Sequence, residues 1–195
     1  MFNERVYSEF EIKKLGIKFK GENKATLAGC TGSLAETLEQ KKVTKKCEGV
    51  VVKTVTKGTG TGTLTVTIHA KYDLLTEMLG MNREKYVDGV KAYGQSSVHK
   101  PFELTGQVLD EDGVEKLKAY PNCALTKKPE ITITNGEEEI AETTLEIAVM
   151  PDENGEGMYE AICETGYLED ETIKTSWLEN FTTELITKKE EGETA

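Results

Sequence analysis

The chain has 195 residues, of which 37% are apolar and 30% charged, enough to bury one core while leaving hairpins and termini to project from it. A formal charge of −11 excludes wrapping of duplex DNA and docking on an anionic membrane, since both partners would be repelled. Met1 to Phe19 holds no uninterrupted apolar run, which excludes a secretory signal or membrane span there and points to synthesis and first folding in a cytoplasm.

In chain order, residues 1–32 read as an N-terminal arm, because Phe10, Ile12, Leu15, Ile17 and Phe19 are interleaved with Lys13, Lys14, Lys18 and Lys20. Ser33-Leu34-Ala35-Glu36 fits a helix capping box, yet Thr37, Val43 and Thr44 favour extended chain, and both readings stay open. Lys41, Lys42, Lys45 and Lys46 read as a solvated stretch. Val50 to Thr56 is a β-branched strand, and Lys57-Gly58-Thr59-Gly60-Thr61-Gly62 is expected to turn it into a second strand. That second strand, Thr63 to Ala70, alternates strictly: Leu64, Val66, Ile68 and Ala70 on one face, Thr63, Thr65, Thr67 and His69 on the other. Such alternation means a half-buried strand with a hydrated, uncharged outer face. A short helix follows, with Asp73 as cap, Gly80 as stop, and Tyr72, Leu75 and Leu79 as its packing face.

Beyond the helix, Asp88-Gly89 predicts a hairpin over Tyr86 to Tyr93. Phe102, Leu104, Gly106 and Val108 mark one face of a strand that Asp110 to Gly113 turns back into Val114 to Tyr120, with Pro121 and Pro129 limiting further pairing. Ile140 to Met150 and Met158 to Cys163 are expected to pair across a Pro151 to Gly157 turn. Trp177, Leu178 and Phe181 mark a C-terminal docking segment, about 167–187, ahead of a disordered 188–195. Residues 1–187 therefore read as one mainly β domain, a β-sandwich or barrel with one flanking α-helix, extended arms and hairpins.

Several hints of chemistry fail on their spacing. Gly58 to Gly62 lacks the following helix and the Gly-Lys-Ser/Thr that a phosphate loop requires. Asp110, Asp112 and Gly113, like Asp152, Asn154 and Gly155, lack the later bidentate glutamate of a calcium loop and fit hairpin turns better. His69 and His99 neighbour no acid or nucleophile in a triad, and Cys30, Cys47, Cys123 and Cys163 form no C-x-x-C pair, so free, mostly buried thiols are expected. No catalytic residue, cofactor or metal is expected.

Taken in order, Lys46-Cys47-Glu48-Gly49-Val50, Gly58 to Gly62, His69 with Tyr72-Asp73-Leu74, Gly80-Met81, Asp88 to Gly94, Asp110 to Gly113, Leu117 to Pro121 and Met150-Pro151-Asp152 resemble the major tail tube protein of long-tailed bacteriophages and prophages of Gram-positive hosts. The resemblance spans nearly the whole chain. It implies the tail tube fold, related to type VI secretion tube proteins, with six copies in a ring and rings stacked into a tube. It also implies a virion location, with partners in further copies, a tape measure protein, a tail terminator and distal tail or baseplate proteins, while DNA passes without specific binding. On that reading Thr63, Thr65, Thr67 and His69 face the lumen, Lys57 to Gly62 and Met1 to Phe19 stack rings, and Trp177 to Leu185 docks locally or on a neighbour. The alternative from a different class is a non-enzymatic β-sandwich binding or decoration module, against which the aromatics are few and scattered.

Overall fold

A computed structural model of the chain describes residues 6–136, 140 and 142–188. Eight strands lie among them: β1 (Glu11–Phe19), β2 (Thr26–Leu27), β3 (Gly29–Cys47), β4 (Val50–Ala70), β5 (Phe102–Leu109), β6 (Glu115–Leu125), β7 (Thr143–Val149) and β8 (Tyr159–Ile162). They form one antiparallel sheet in the order β2-β1-β5-β6-β7-β4-β3, with β8 added on β6. The architecture is mainly β, as the alternating segments require. The helices are α1 (Tyr72–Met78), which was expected, and α2 (Glu171–Asn180) and α3 (Thr183–Ile186), which were not.

The sheet branches at β6. One edge pairs with β5 from Glu115 to Cys123; on the other edge Lys116 to Ala119 pairs with β8 and Cys123 to Leu125 with β7. Pro121, which lacks an N–H, and Asn122 bulge opposite Glu103 in the β5 pairing, at the level where the other edge of β6 passes from β8 to β7. Two wings, β2-β1-β5 and β7-β4-β3, then close on one core. Leu15, Ile17, Phe102 and Leu104 come from the first, and Leu64, Val66, Ile68, Leu145, Ile147 and Val149 from the second. This corrects the expected pairing of Met158 to Cys163 with the preceding strand: β8 lies on β6 instead.

Residues 11–32 depart from the expected arm. Glu11–Phe19 runs the length of β5, with Leu15 and Ile17 buried in the core. From Lys14 on, Leu15, Ile17 and Phe19 recur with period two, a register shift after Ile12 taking up the adjacent Lys13-Lys14, and burying this apolar set outweighs the solubility of the lysines. Met1 to Arg5 of the expected arm and 189–195 of the expected tail lie outside the described residues.

The expected turn at Lys57 to Gly62 is also corrected, because all six residues lie inside β4. The chain reverses at Glu48-Gly49, whose φ values of 50° and 84° are those of a two-residue primed turn matching the twist of its strands. The segment after Ser33 is thereby settled as strand. Leu38 pairs with Gly62 and Gln40 with Gly58, so Thr59, Gly60 and Thr61 bulge opposite Glu39 alone. Thr59 Oγ1 donates to the Glu39 carbonyl at 3.1 Å and Thr61 Oγ1 to Glu39 Oε2 at 2.8 Å. Gly60 holds φ 73° against the Gly155 carbonyl, where a Cβ would approach to 2.6 Å.

Helix α1 ends in a Schellman motif: the Gly80 amide donates to Glu77 O at 3.0 Å and the Met81 amide to Thr76 O at 2.9 Å. Its buried residues are Leu74, Thr76 and Met78, joined by Leu79 at the C-cap, with Leu75 half-buried, whereas Tyr72 is 64% exposed. The expected Tyr72-Leu75-Leu79 face is thus rotated, since a two-turn helix buries the i,i+4 row Leu74-Met78 and Tyr72 lies off it. Gly80 has φ +60°, and a Cβ there would stand 2.1 Å from Val98 O. Gly80→Ala is therefore expected to destabilise by more than about 1 kcal/mol, read as a lowered urea midpoint at unchanged m. Around Asp88-Gly89 the turn forms, with Val90 N donating to Val87 O at 3.1 Å, but a single Asn82–Lys91 bridge replaces the expected hairpin strands.

The C-terminal segment packs on the outer face of β6. Asp170 caps α2 by accepting from the amides of Thr172 and Ile173, at 2.8 and 3.3 Å. Trp177 and Phe181 join Leu117 and Ala119 in a second core, with Leu178 partly buried beside them. Trp177 Nε1 donates to Lys118 O at 3.1 Å. Lys18 Nζ reaches Asn180 Oδ1 at 3.0 Å and the Phe181 carbonyl, a cation set where the α2 dipole is negative.

Candidate functional site

The threonine strand lies where its alternation places it. Leu64, Val66 and Ile68 are buried, Thr63, Thr65 and His69 are exposed, and Thr67 is partly exposed. Register extends this polar face sideways: Thr37, Ala35 and Ser33 of β3 oppose Thr63, Thr65 and Thr67, and Ala148, Glu146 and Thr144 of β7 oppose them on the other side. Directly opposed residues share a face, so three strands present small side chains, with Glu146 the one carboxylate among these nine. Ser33 and Thr67 hydroxyls hydrogen-bond across strands at 2.8 Å, and Lys127 pairs with Glu146 at 2.6 Å. Among the described residues the sheet order ends on β3, so this face borders a long edge whose outer amides and carbonyls carry no ladder there, a template for a further strand.

The inner side of β3 is anchored by charge. Glu36, opposite Leu64, points towards β6, where Lys118 is 2% exposed and pairs with Glu36 at 3.2 Å and Glu9 at 2.9 Å. Lys116 holds Glu9 at 3.1 Å and Glu160 at 3.2 Å, and the buried Tyr120 hydroxyl donates to Glu36. Burial alone would lower the Lys118 pKa, but Glu9 and Glu36 outweigh it and hold it above the ordinary lysine value. Burial likewise opposes ionisation of Glu9, yet the two lysines bring its carboxyl below the usual range. Burial, then Glu36, push the Tyr120 phenol far up. Residues 116–120 alternate like a strand with its lysines in water; the signal missed is that both faces of β6 are covered.

The remaining candidate residues are structural. Lys57 to Gly62 is strand and bulge, not a free loop. Asp110 Oδ1 accepts from the Asp112 and Val114 amides at 3.0 and 2.7 Å, shaping the β5–β6 turn. Asp152 Oδ1 accepts from the Asn154 and Glu156 amides at 2.8 and 3.0 Å, and Tyr159 Oη donates to Asp152 Oδ2 at 2.7 Å. Burial would raise the Asp152 carboxyl, but those hydrogen bonds keep it below the ordinary value. His99 contacts Leu125 O through Nδ1 at 2.8 Å and Tyr93 Oη through Nε2 at 3.1 Å. The four cysteines are free, but Cys30 and Cys47 are exposed, correcting the expectation that most are buried; burial pushes the Cys163 thiol up to about 11. Among the described residues no group of three or more His, Cys, Asp or Glu could hold a metal ion, and no helix is long and apolar enough to cross a membrane.

No protein-family model and no curated protein sequence matches the chain. Among solved structures, a chain in the cryo-EM structure of the anti-feeding prophage baseplate is 13% identical at a TM-score of 0.41, covering 82% of this chain and 97% of that one. A chain in the cryo-EM structure of the anti-feeding prophage tube-terminating cap is 9% identical at a TM-score of 0.42, covering 80% and 95%. These values mark a distant likeness of overall shape.

Proposed function

We propose that the chain is a structural subunit of a phage-tail tube, self-assembling into stacked rings, six copies to a ring, that conduct DNA without chemistry. The observation that carries this reading is the small, hydroxyl-rich outer face of β3, β4 and β7 lying beside the unpaired edge of β3. A long edge strand is a hazard to a monomer but an asset to a ring, where the next copy completes its ladder. Thr63, Thr65, Thr67 and His69 then line the lumen, a hydroxyl-rich strand whose neighbouring cation, Lys127, is held by Glu146 and so grips passing phosphates little. The stacking role expected of Lys57 to Gly62 passes to the hairpin that contains it. The tape measure protein, terminator and distal tail proteins remain the expected partners, the virion the expected location and Gram-positive phages or prophages the expected source. The sequence resemblance supports each of these.

Lumen placement is tested with Thr65→Cys in a Cys30→Ser/Cys47→Ser background. In assembled tubes the introduced thiol is expected to react with a small maleimide and to be protected from a bulky polymer maleimide, while in the unassembled subunit it reacts with both. Equal reaction of tubes with the bulky reagent would put the threonine face outside and overturn the assignment.

A further inference from the structure

Beyond the bulge, the β3–β4 hairpin carries an oddity of register. Lys41 opposes Lys57, Val43 opposes Val55, and Lys45 opposes Lys53. Opposed residues and their i+2 neighbours share a face, so four lysines surround one valine pair on a single side of a two-stranded ribbon. Like charges placed directly opposite are destabilising, and an isolated two-stranded ribbon has little stability to spare. Every residue from 39 to 57 except Val55 is exposed. The ion pairs formed among the described residues use other lysines: Lys13, Lys18, Lys24, Lys100, Lys116, Lys118, Lys127 and Lys174.

Charge is also segregated along the chain. Residues 39–57 hold six lysines and two glutamates, a net of +4 in a chain of −11, so the other 176 residues carry −15. We infer that the Lys41/Lys57 and Lys45/Lys53 face is a docking surface for a carboxylate-rich face of a second copy of this chain. This rests on the self-assembly reading and names the chemistry of one of its contacts. Carboxylates laid across the ribbon relieve the lysine repulsion, and the flanked valines add an apolar seat. The same opposition of sign steers copies together and sets their orientation.

The test is the concentration at which the full-length chain begins to assemble, followed by sedimentation. Lys45→Gln/Lys53→Gln is expected to raise it at least about tenfold, the scale of losing close interfacial charge pairs. Lys20→Gln/Lys85→Gln, which changes net charge equally away from the hairpin, is expected to leave it within about twofold. Lys45→Arg/Lys53→Arg is expected to restore assembly. Neutralising opposed lysines relieves repulsion, so the hairpin itself should not be weakened, and an unchanged urea midpoint checks that. If wild type assembles and Lys45→Gln/Lys53→Gln assembles equally well, the docking inference falls while self-assembly stands. If wild type does not assemble at any concentration, even when seeded with preformed tail tips, both fall. Lysine-dependent binding of a short DNA duplex without self-association would overturn the choice of partner.

Discussion

Trp177→Ala is expected to remove about 3–5 kcal/mol of stability, the cost of deleting a buried indole whose site cannot collapse. The ring is 2% exposed, lies 4.8 Å from Phe181 between centroids, and seals Leu117 and Ala119 on the outer side of β6. Its N–H donates to the Lys118 carbonyl, so the loss is packing plus that hydrogen bond. Against a typical total of about 5–15 kcal/mol, this would leave the domain marginal. Urea unfolding followed by far-UV circular dichroism measures it, since the fluorophore is gone. Trp177→Phe, which keeps most of the packing, should cost less. A loss below about 1 kcal/mol for the alanine variant would mean that α2 contributes little to this fold.

The second large effect concerns charge. Lys118→Met leaves Glu9 and Glu36 beside Tyr120 without their shared cation. Breaking a buried ion network from one side costs about 3–5 kcal/mol, and about 2–4 is expected here because both carboxylates reach solvent. The sign of the pH dependence follows from the shifts. Glu9 is lowered in the fold, so its stabilisation is present above the ordinary carboxylate value and lost as pH falls through the folded one. Lys118 is raised, so its contribution is complete below the ordinary lysine value and lost as pH rises through the folded one. The native network thus contributes steadily from about pH 5 to about pH 10. In Lys118→Met the alkaline loss due to Lys118 disappears, and stability should fall less on acidification than in wild type, because Lys116 alone is left to hold the Glu9 carboxyl down. Adding Glu36→Gln should recover part of the loss at neutral pH. Stability of Lys118→Met that falls on acidification as in wild type would contradict the network.

What the sequence made legible were features written in local period and turn chemistry. Thr63 to Ala70 fixed its two faces through strict alternation, Gly80 marked a real helix stop, and Asp110 to Gly113 marked a real turn. Register and partner choice were not legible, because they depend on residues far along the chain. The five-residue Gly/Thr stretch outcompetes Glu48-Gly49 as a turn signal by composition, yet its glycines serve a bulge pressed against the 151–157 turn. Glu11–Phe19 looked like a wet arm because Lys13, Lys14 and Lys18 are interspersed among its apolar residues, although Leu15 and Ile17 fill the core. Lys118 looked solvated for the same reason. Only the closure of β3 over β6 reveals it as buried, and Tyr120 meets Glu36 across 84 residues of sequence. Trp177 was recognisable as a packing residue by type alone, but the surface it packs on was not, because β8 joins β6 instead of its sequence neighbour.

Self-assembly is tested most directly by concentrating the purified full-length chain and imaging it by negative-stain electron microscopy with light scattering alongside. Six-fold rings or hollow tubes are the expected result. A chain that stays a small monomer at every concentration, even when seeded with preformed tail tips, would contradict the tube reading and return weight to a binding or decoration module.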